Sequence, residues 1–522
     1  MTESPEKNHI GRGDGAMWRA MPRRNTQKVS HLLAADLRRQ ILNGQLTADQ
    51  QLPPEPELTA QLRISRETLR EALRILESQQ LVEIKRGRGG GAVVRRPGLE
   101  SVARYVALLL QLRRTTLGHL EEARSVIEPA AAEQVAIRAG YEDLDRLVAL
   151  HDAERAAEND PLSFVTAMTA FEQAVTELSG NQTLAVIAGV FRDIYAAQVY
   201  SAIGSADSVA AERIARRVVV SHSAFLDAAR RRDMSLAQKT WSDYLFTTSR
   251  LLVSRNASRQ QIDMTPLWRA QAGQEGAEPT PRRAILVATE IRSRIAEGRL
   301  REGDRLPPLA DLADEFEISR PTLREALRIL EMEFLLDLRT GDRGGATIRT
   351  PTSRVAAQLA GIVLEARGTT LSDFYRAIRL IEPPMMGLVA ARVSPKQLRS
   401  LETMDVELTD AIEDTPRFVV TLREAEQLAF SAVKNPALTV IAELLHWVRV
   451  GVEPAITADA KAIPSVSKSN RNFQGFFSQF VTAAGARDSE HATEAWACAL
   501  DPTAPWIEES ELGQRLMLDL MD

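Results

Sequence analysis

Regularly spaced arginines are the residues of this chain best suited to chemistry. In the stretch Ile64-Ser65-Arg66-Glu67-Thr68-Leu69-Arg70-Glu71-Ala72-Leu73-Arg74-Ile75-Leu76-Glu77, Arg66, Arg70 and Arg74 fall four apart, which puts them in one stripe along a helix. Leu69, Ala72, Leu73 and Leu76 supply the apolar face of that helix, and Ser65 is a residue type that caps a helix start. A guanidinium donates paired hydrogen bonds, which suits phosphate oxygens and the edge of guanine. The same spacing also serves the solvated face of an ordinary bundle helix. Repetition shifts the balance: Ile318-Ser319-Arg320-Pro321-Thr322-Leu323-Arg324-Glu325-Ala326-Leu327-Arg328-Ile329-Leu330-Glu331 stands 254 positions further on. Two copies of one pattern favour a nucleic-acid-reading helix, present twice.

The offset of 254 extends far beyond this motif. It pairs Gly44 with Gly298, Leu52-Pro53-Pro54 with Leu306-Pro307-Pro308, Ile127-Glu128-Pro129 with Ile381-Glu382-Pro383, and Asn181 with Asn435. The chain is therefore read as one unit duplicated whole, each copy too long for a solenoid repeat. In the first copy Val29, Leu32, Leu33, Leu37 and Ile41 predict a helix stopped near Asn43-Gly44. A short helix is predicted over Glu57 to Leu62, a turn at Arg63-Ile64, and then the arginine-bearing helix. Leu81–Lys85 and Ala92–Arg95 read as strands about the glycine-rich tip Gly87-Arg88-Gly89-Gly90-Gly91. That is the layout of a winged helix-turn-helix, and the long segment behind each copy has helical periodicity. The fold class expected is mainly α, with two winged helices alternating with two helical bundles. The boundaries expected are a disordered tail at 1–27, a winged helix at 28–97, a bundle at 98–255, a linker at 256–281, a winged helix at 282–351 and a bundle at 352–522.

The 522 residues carry 65 Lys+Arg against 70 Asp+Glu, so any grip on nucleic acid must come from a local patch. Over 28–97 there are 12 basic against 8 acidic residues, and over 282–351 there are 13 of each. The first winged helix is thus expected to supply most of the salt-dependent affinity, and the second orientation and specificity. One cysteine, Cys498, excludes an intrachain disulfide framework and suits a reducing cytoplasm. No apolar run has the length of a membrane span, and no apolar core of a signal peptide stands in the first residues. P-loop, nucleophile elbow, His-Glu-x-x-His and clustered Cys/His motifs are absent, so no enzyme is expected.

Segments 28–97 and 282–351 resemble the winged-helix domain of GntR-type bacterial transcription regulators. The resemblance rests on Leu-Pro-Pro, on Ile-Ser-Arg-x-Thr-Leu-Arg-Glu-Ala-Leu-Arg-Ile-Leu-Glu and on the glycine-rich wing. The helical segments resemble the FCD effector domain of the FadR subfamily through Arg124 and Glu128, Phe171 before Asn181, and His222-Ser223-Ala224-Phe225-Leu226-Asp227 ahead of Asp233. The resemblance implies that the start of the recognition helix enters the major groove and that the wing lies on the neighbouring backbone or minor groove. It nominates Ser65, Arg66, Thr68, Arg70, Arg86, Gly87 and Arg88 in the first copy as DNA-contacting residues. In the second it nominates Ser319, Arg320, Thr322, Arg324 and Arg343. Arg74 and Arg328 are expected instead to pair with neighbouring glutamates along the helix. An arginine common in the short helix of such regulators is Pro56 here, and Ala310 in the other copy. Each copy so lacks one contact, worth about 1–3 kcal/mol if made to a base.

Metal-binding FCD relatives carry an Asp and three His. The matching positions here are Met168, Glu172, His222 and Tyr244, then Leu422, Glu426, Phe477 and Ala499, which is not a metal site. No metal and no cofactor are expected. Glu172, His222, Tyr244, Glu426 and Phe477 are left as candidate effector-pocket residues, for an apolar or acyl-type small molecule; aromatic residues at this spacing also serve simply as core. The function implied is a ligand-responsive repressor on a double-stranded operator, one chain reading two half-sites as a monomeric pseudo-dimer, or two chains as a homodimer. The competing reading is a regulatory interaction protein with degenerate sensing domains acting through a protein partner.

Overall fold

The offset between the two copies reappears in the element boundaries. The structure, a computed structural model, describes residues 26–79, 81–85, 91–96, 98–203, 208–252, 259–264, 279–339, 345–458, 466–501, 507–508 and 510–517. Two units emerge, Met1–Pro97 and Gly98–Asp522. In the first, α1 (Thr26–Leu42) packs on α3 (Arg66–Ser78), with α2 (Glu55–Leu62) set against α3. Gly44, at φ +82°, ends the first helix region, as expected from its freedom in the left-handed region. α2 begins two residues earlier than the periodicity predicts, because Pro56 is tolerated in a first turn. Arg63 closes α2 in the left-handed conformation, its amide donating to the Thr59 carbonyl. The tight turn delivers Ser65, whose hydroxyl caps α3 by accepting from the Thr68 amide at 3.0 Å. Strands β1 (Val82–Lys85) and β2 (Gly91–Val94) pair antiparallel, Val82 opposite Val94, and the Leu52 amide donates to Ala92 alongside. Glu77 of α3 accepts from the Ile84 amide at 3.1 Å and so ties the hairpin to the recognition helix.

The second unit opens with a bundle of α4 (Leu99–Leu112), α5 (Leu117–Arg138), α6 (Tyr141–Ala156), α7 (Pro161–Leu178), α8 (Gln182–Ile203), α9 (Ser208–Arg230) and α10 (Met234–Leu252). A second winged helix follows: α11 (Pro279–Ala296), α12 (Leu309–Glu315), α13 (Arg320–Met332), β3 (Leu336–Arg339) and β4 (Gly345–Ile348). The second bundle is built from α14 (Ser353–Ala366), α15 (Leu371–Arg392), α16 (Pro395–Asp410), α17 (Thr415–Ser431), α18 (Pro436–Ala458), α19 (Val466–Ala486) and α20 (Ser489–Leu500), with the single turn α21 (Glu511–Gln514) last. Of the expected linker, residues 259–264 are described, and the Ile262 amide donates to Thr115 at 2.9 Å. Met517 repeats that contact to Thr369 at 2.8 Å in the second bundle.

The two bundles pack on each other, α4 on α14 and α5 on α15 and α18. One contact is made twice, in opposite directions. Asn181 Nδ2 donates to the Asp373 carbonyl at 3.1 Å, and Asn435 Nδ2 donates to the His119 carbonyl at 3.0 Å. Both residue pairs stand at the 254 offset, so the bundles meet about a local two-fold axis. The side chains then diverge. Buried Asp373 accepts from the amides of Gln182 and Thr183, each at 2.9 Å, and from the Thr183 hydroxyl, so its carboxylate sits at the positive end of α8. In the other direction Glu122 accepts from Asn435 at 2.8 Å and pairs with Arg392. The second winged helix rests on the first bundle: Phe334 meets Tyr105 edge-on at 6.5 Å, and Arg104 reaches Glu333 at 3.5 Å. Replacing Asp373 by Ala removes three acceptor contacts at a buried helix end. It is expected to lower the first thermal unfolding transition, at a cost of about 1–3 kcal/mol, and an unchanged transition would contradict this interface.

Candidate nucleic-acid interface and effector site

Both recognition helices present the same exposed arginines on an equally built start. Ser65 and Thr68 join their hydroxyls at 2.8 Å, as do Ser319 and Thr322. Thr68 and Thr322 are buried, so these two nominated residues hold the helix start and do not face outward. Arg66, Arg320 and Arg324 are exposed and have no ion-pair partner among the described residues. Arg74 pairs with Glu71 at 3.6 Å along its own helix, as its spacing predicts. Arg70 is engaged in a way the spacing could not show: Glu55, on α2, accepts from its Nε and Nη2. The nominated wing residues Arg86, Gly87, Arg88 and Arg343 lie outside the described residues.

In the first bundle the candidate effector residues converge on a buried ionic cluster. Arg124 of α5 donates to Glu128 at 2.5 Å and to Glu172 of α7 at 2.6 Å, its side chain 4% exposed. Tyr244 donates to Glu172, Trp241 Nε1 donates to Glu128 at 3.1 Å, and the Tyr195 ring lies under the guanidinium. Burial works to raise Glu172, but Arg124 and the Tyr244 hydroxyl outweigh it and hold the carboxyl below its ordinary range. Burial pushes Tyr244 up, and Glu172 adds to the rise. Beside the cluster His222 Nδ1 meets Glu154 at 2.8 Å, and His151 meets the same carboxylate at 3.0 Å. His222 packs against both Phe171 and Trp241 with its ring nearly parallel to each, and its Nε2 is buried without a partner among the described residues. Glu172 and His222 are thus both engaged by neighbours, and the other two slots are Met168 and Tyr244. This donor set does not fit a metal ion.

The second bundle keeps the carboxylates and moves the cation. Glu382 and Glu426 stand 254 residues on from Glu128 and Glu172, and Trp496 stands 255 on from Trp241, but Ile378 replaces Arg124, and Arg449 of α18 occupies the place of Tyr195. Arg449 reaches Glu426 at 3.0 Å and Glu382 at 3.4 Å, and Trp496 Nε1 donates to Glu382 at 3.0 Å. Its side chain is 20% exposed, so this cluster is less sealed than the first. Phe477, in the slot of His222, packs among Phe473, Phe480 and Trp496. Arg124–Glu128 was legible as a four-residue spacing. Glu154, Arg449 and the Glu55–Arg70 pair were not, because their partners lie on other helices.

Family comparisons agree with this architecture. The profile for bacterial regulatory proteins of the gntR family matches residues 30–91 and again 286–345, and the FCD domain profile matches 119–246. The chain belongs to the GntR family. It is a GntR-type transcriptional regulator with an FCD effector domain; the likeness of the second bundle to the first rests on the common offset and the shared carboxylates. The HTH-type transcriptional repressor NanR of Cronobacter sakazakii is 26% identical over 243 residues, 45% of this chain and 90% of that protein. An uncharacterised HTH-type transcriptional regulator of Mycobacterium tuberculosis is 32% identical over 133 residues, 25% of this chain and 54% of that protein. Among solved structures, a GntR protein of Streptococcus agalactiae shares 20% identity with a TM-score of 0.34, over 43% of this chain and 99% of its own. No helix among the described residues is long and apolar enough to cross a membrane.

The second cluster gives a pH signature. Burial raises Glu382 from the ordinary 4.5 to about 7, against the pull of Arg449. A carboxyl raised on folding stabilises fully below its unfolded pKa, and that contribution is lost as pH rises through about 7. Glu382→Gln, whose amide oxygen can still accept from Trp496, is therefore expected to melt increasingly above the parent chain as pH rises from about 5 to 8. Melting curves with a constant gap across that range would contradict it.

Proposed function

We propose that one chain of this GntR-family regulator sets two unlike winged-helix readers on one operator and represses transcription from it. The observation that carries the reading is the reciprocal Asn181–Asp373 and Asn435–His119 contact, by which two bundles of one chain meet as two subunits of a symmetric dimer would. Residues 28–97 and 282–351 are the readers, and 98–255 and 352–522 the bundles that hold them. Tethering raises the effective concentration of the second reader once the first is bound. Arg66, Arg70, Arg320 and Arg324 carry the contacts, with the first reader the more salt-sensitive because of its surplus of basic residues. NanR of Cronobacter sakazakii is a repressor, which supports the sign.

The effector site we assign is in the first bundle, about His222, where one buried ring nitrogen faces no partner among the described residues and Phe171, Trp241 and Phe225 supply apolar walls. It suits an apolar or acyl-type molecule carrying one polar group. A second reading has its own support: both ionic clusters are largely satisfied within the protein, which favours a chain whose bundles serve a protein partner instead of a ligand. Footprinting of the full chain separates them. The two-reader reading expects two protected half-sites, one lost in Arg66→Ala/Arg70→Ala and the other in Arg320→Ala/Arg324→Ala. A single protected half-site in the parent chain would contradict it and favour the second reading.

A further inference from the structure

The two readers differ where the first turn of the short helix meets the second turn of the recognition helix. Glu55 is the first residue of α2, preceded by Pro54, and makes no cap of its own helix. Its carboxylate instead accepts from Arg70 Nε, at 3.2 Å and 3.1 Å to its two oxygens, and from Nη2 at 3.0 Å. At the equivalent position of the second reader, 254 residues on, stands Leu309, 38% exposed. Arg324, the counterpart of Arg70, has no hydrogen-bond or ion-pair partner among the described residues.

We propose that Glu55 is a positioning residue for base recognition: it fixes Arg70 to read one base pair sharply, while Leu309 leaves Arg324 unfixed, so that the two half-sites are unlike at this position. The inference rests on the two-reader reading. A guanidinium has five donors in one plane. Glu55 takes the Nε edge of Arg70, and the Nη1/Nη2 edge remains to offer the paired donors that match guanine O6 and N7. With Nε held, the side chain loses the swing that would let it settle on a phosphate. The carboxylate also offsets the charge of Arg70, which removes this arginine from the electrostatic share of the first reader's affinity. Arg324 keeps its full charge and its rotamers, so it can divide its time between base and phosphate. Leu309 adds an exposed apolar surface that suits a thymine methyl group. Specificity at this position is thus assigned to the first reader, opposite to what the charge balance of the two segments predicts. An acidic residue at α2's start also interacts favourably with the helix dipole. That role alone would change stability and leave base preference untouched.

The test is selection of a randomised duplex DNA library by the full chain, with Arg70→Ala marking the base pair that Arg70 reads. Glu55→Gln is expected to cut preference at that base pair about fivefold, the lower end of what a bidentate contact discriminates. Low-salt affinity should hold or rise, because a negative charge has left the interface. Leu309→Glu is expected to sharpen the equivalent base pair in the other half-site. Unchanged preference in Glu55→Gln, with melting curves showing the variant folded, would overturn the role of Glu55. No change in Leu309→Glu would overturn it equally. If the parent chain enriches no sequence, the two-reader reading itself fails. Enrichment by the parent with no response to Glu55→Gln removes only the assignment of Glu55.

Discussion

Two asparagine side chains, each donating across a helical interface to a carbonyl of the other bundle, set the geometry of the second unit of this protein. Asn181 and Asn435 are buried, and each also uses its side-chain oxygen to cap the start of the helix it precedes. An amide spent in both directions leaves little freedom: the helix start, the neighbouring bundle and the angle between them are fixed together. Because both partners of each bond lie at the same offset, the constraint is that of a symmetric dimer written into one chain. Covalent linkage then frees the two halves to diverge, since neither surface must any longer match itself.

The divergence is visible in the buried charges. Both bundles retain two glutamates in register and a tryptophan one residue out of it, yet the arginine that neutralises them comes from α5 in one and α18 in the other. An unpaired carboxylate at either site would be costly, so the cation could move only if its replacement arrived on a facing helix. The first cluster gains a sealed environment and a histidine layer beside it. The second gains a filled aromatic interior and a carboxyl held near neutrality. The two buried clusters have thereby become unlike, the first sealed and the second partly open to solvent.

Much of this was legible in the residues. The 254 offset, the arginine stripe, the serine caps and the turn at Arg63 predict the helix-turn-helix twice, because each is a local signal within one or two turns of chain. Helical periodicity predicts the bundles, while Pro56 shows how a proline in a first turn can hide two residues of helix. Phe477, which its spacing leaves open between pocket lining and core, is fully buried among other aromatic rings. Pairing between elements stayed hidden. Glu154 serves two histidines, one 68 residues away, and Arg449 takes the place of an arginine that its own copy lacks. The resemblance nominates Thr68 and Thr322 as DNA-contacting residues, and the hydroxyl of each meets that of the capping serine, a pairing that family resemblance does not reveal.

If one chain supplies both halves of the reading head, its stoichiometry on DNA is set in advance. The deciding measurement is the mass in solution of the full chain, alone and on its selected duplex. One chain free, and one chain bound per two-half-site operator, is the expected result. Two chains on the duplex, each leaving one of its own readers without a half-site, would contradict it.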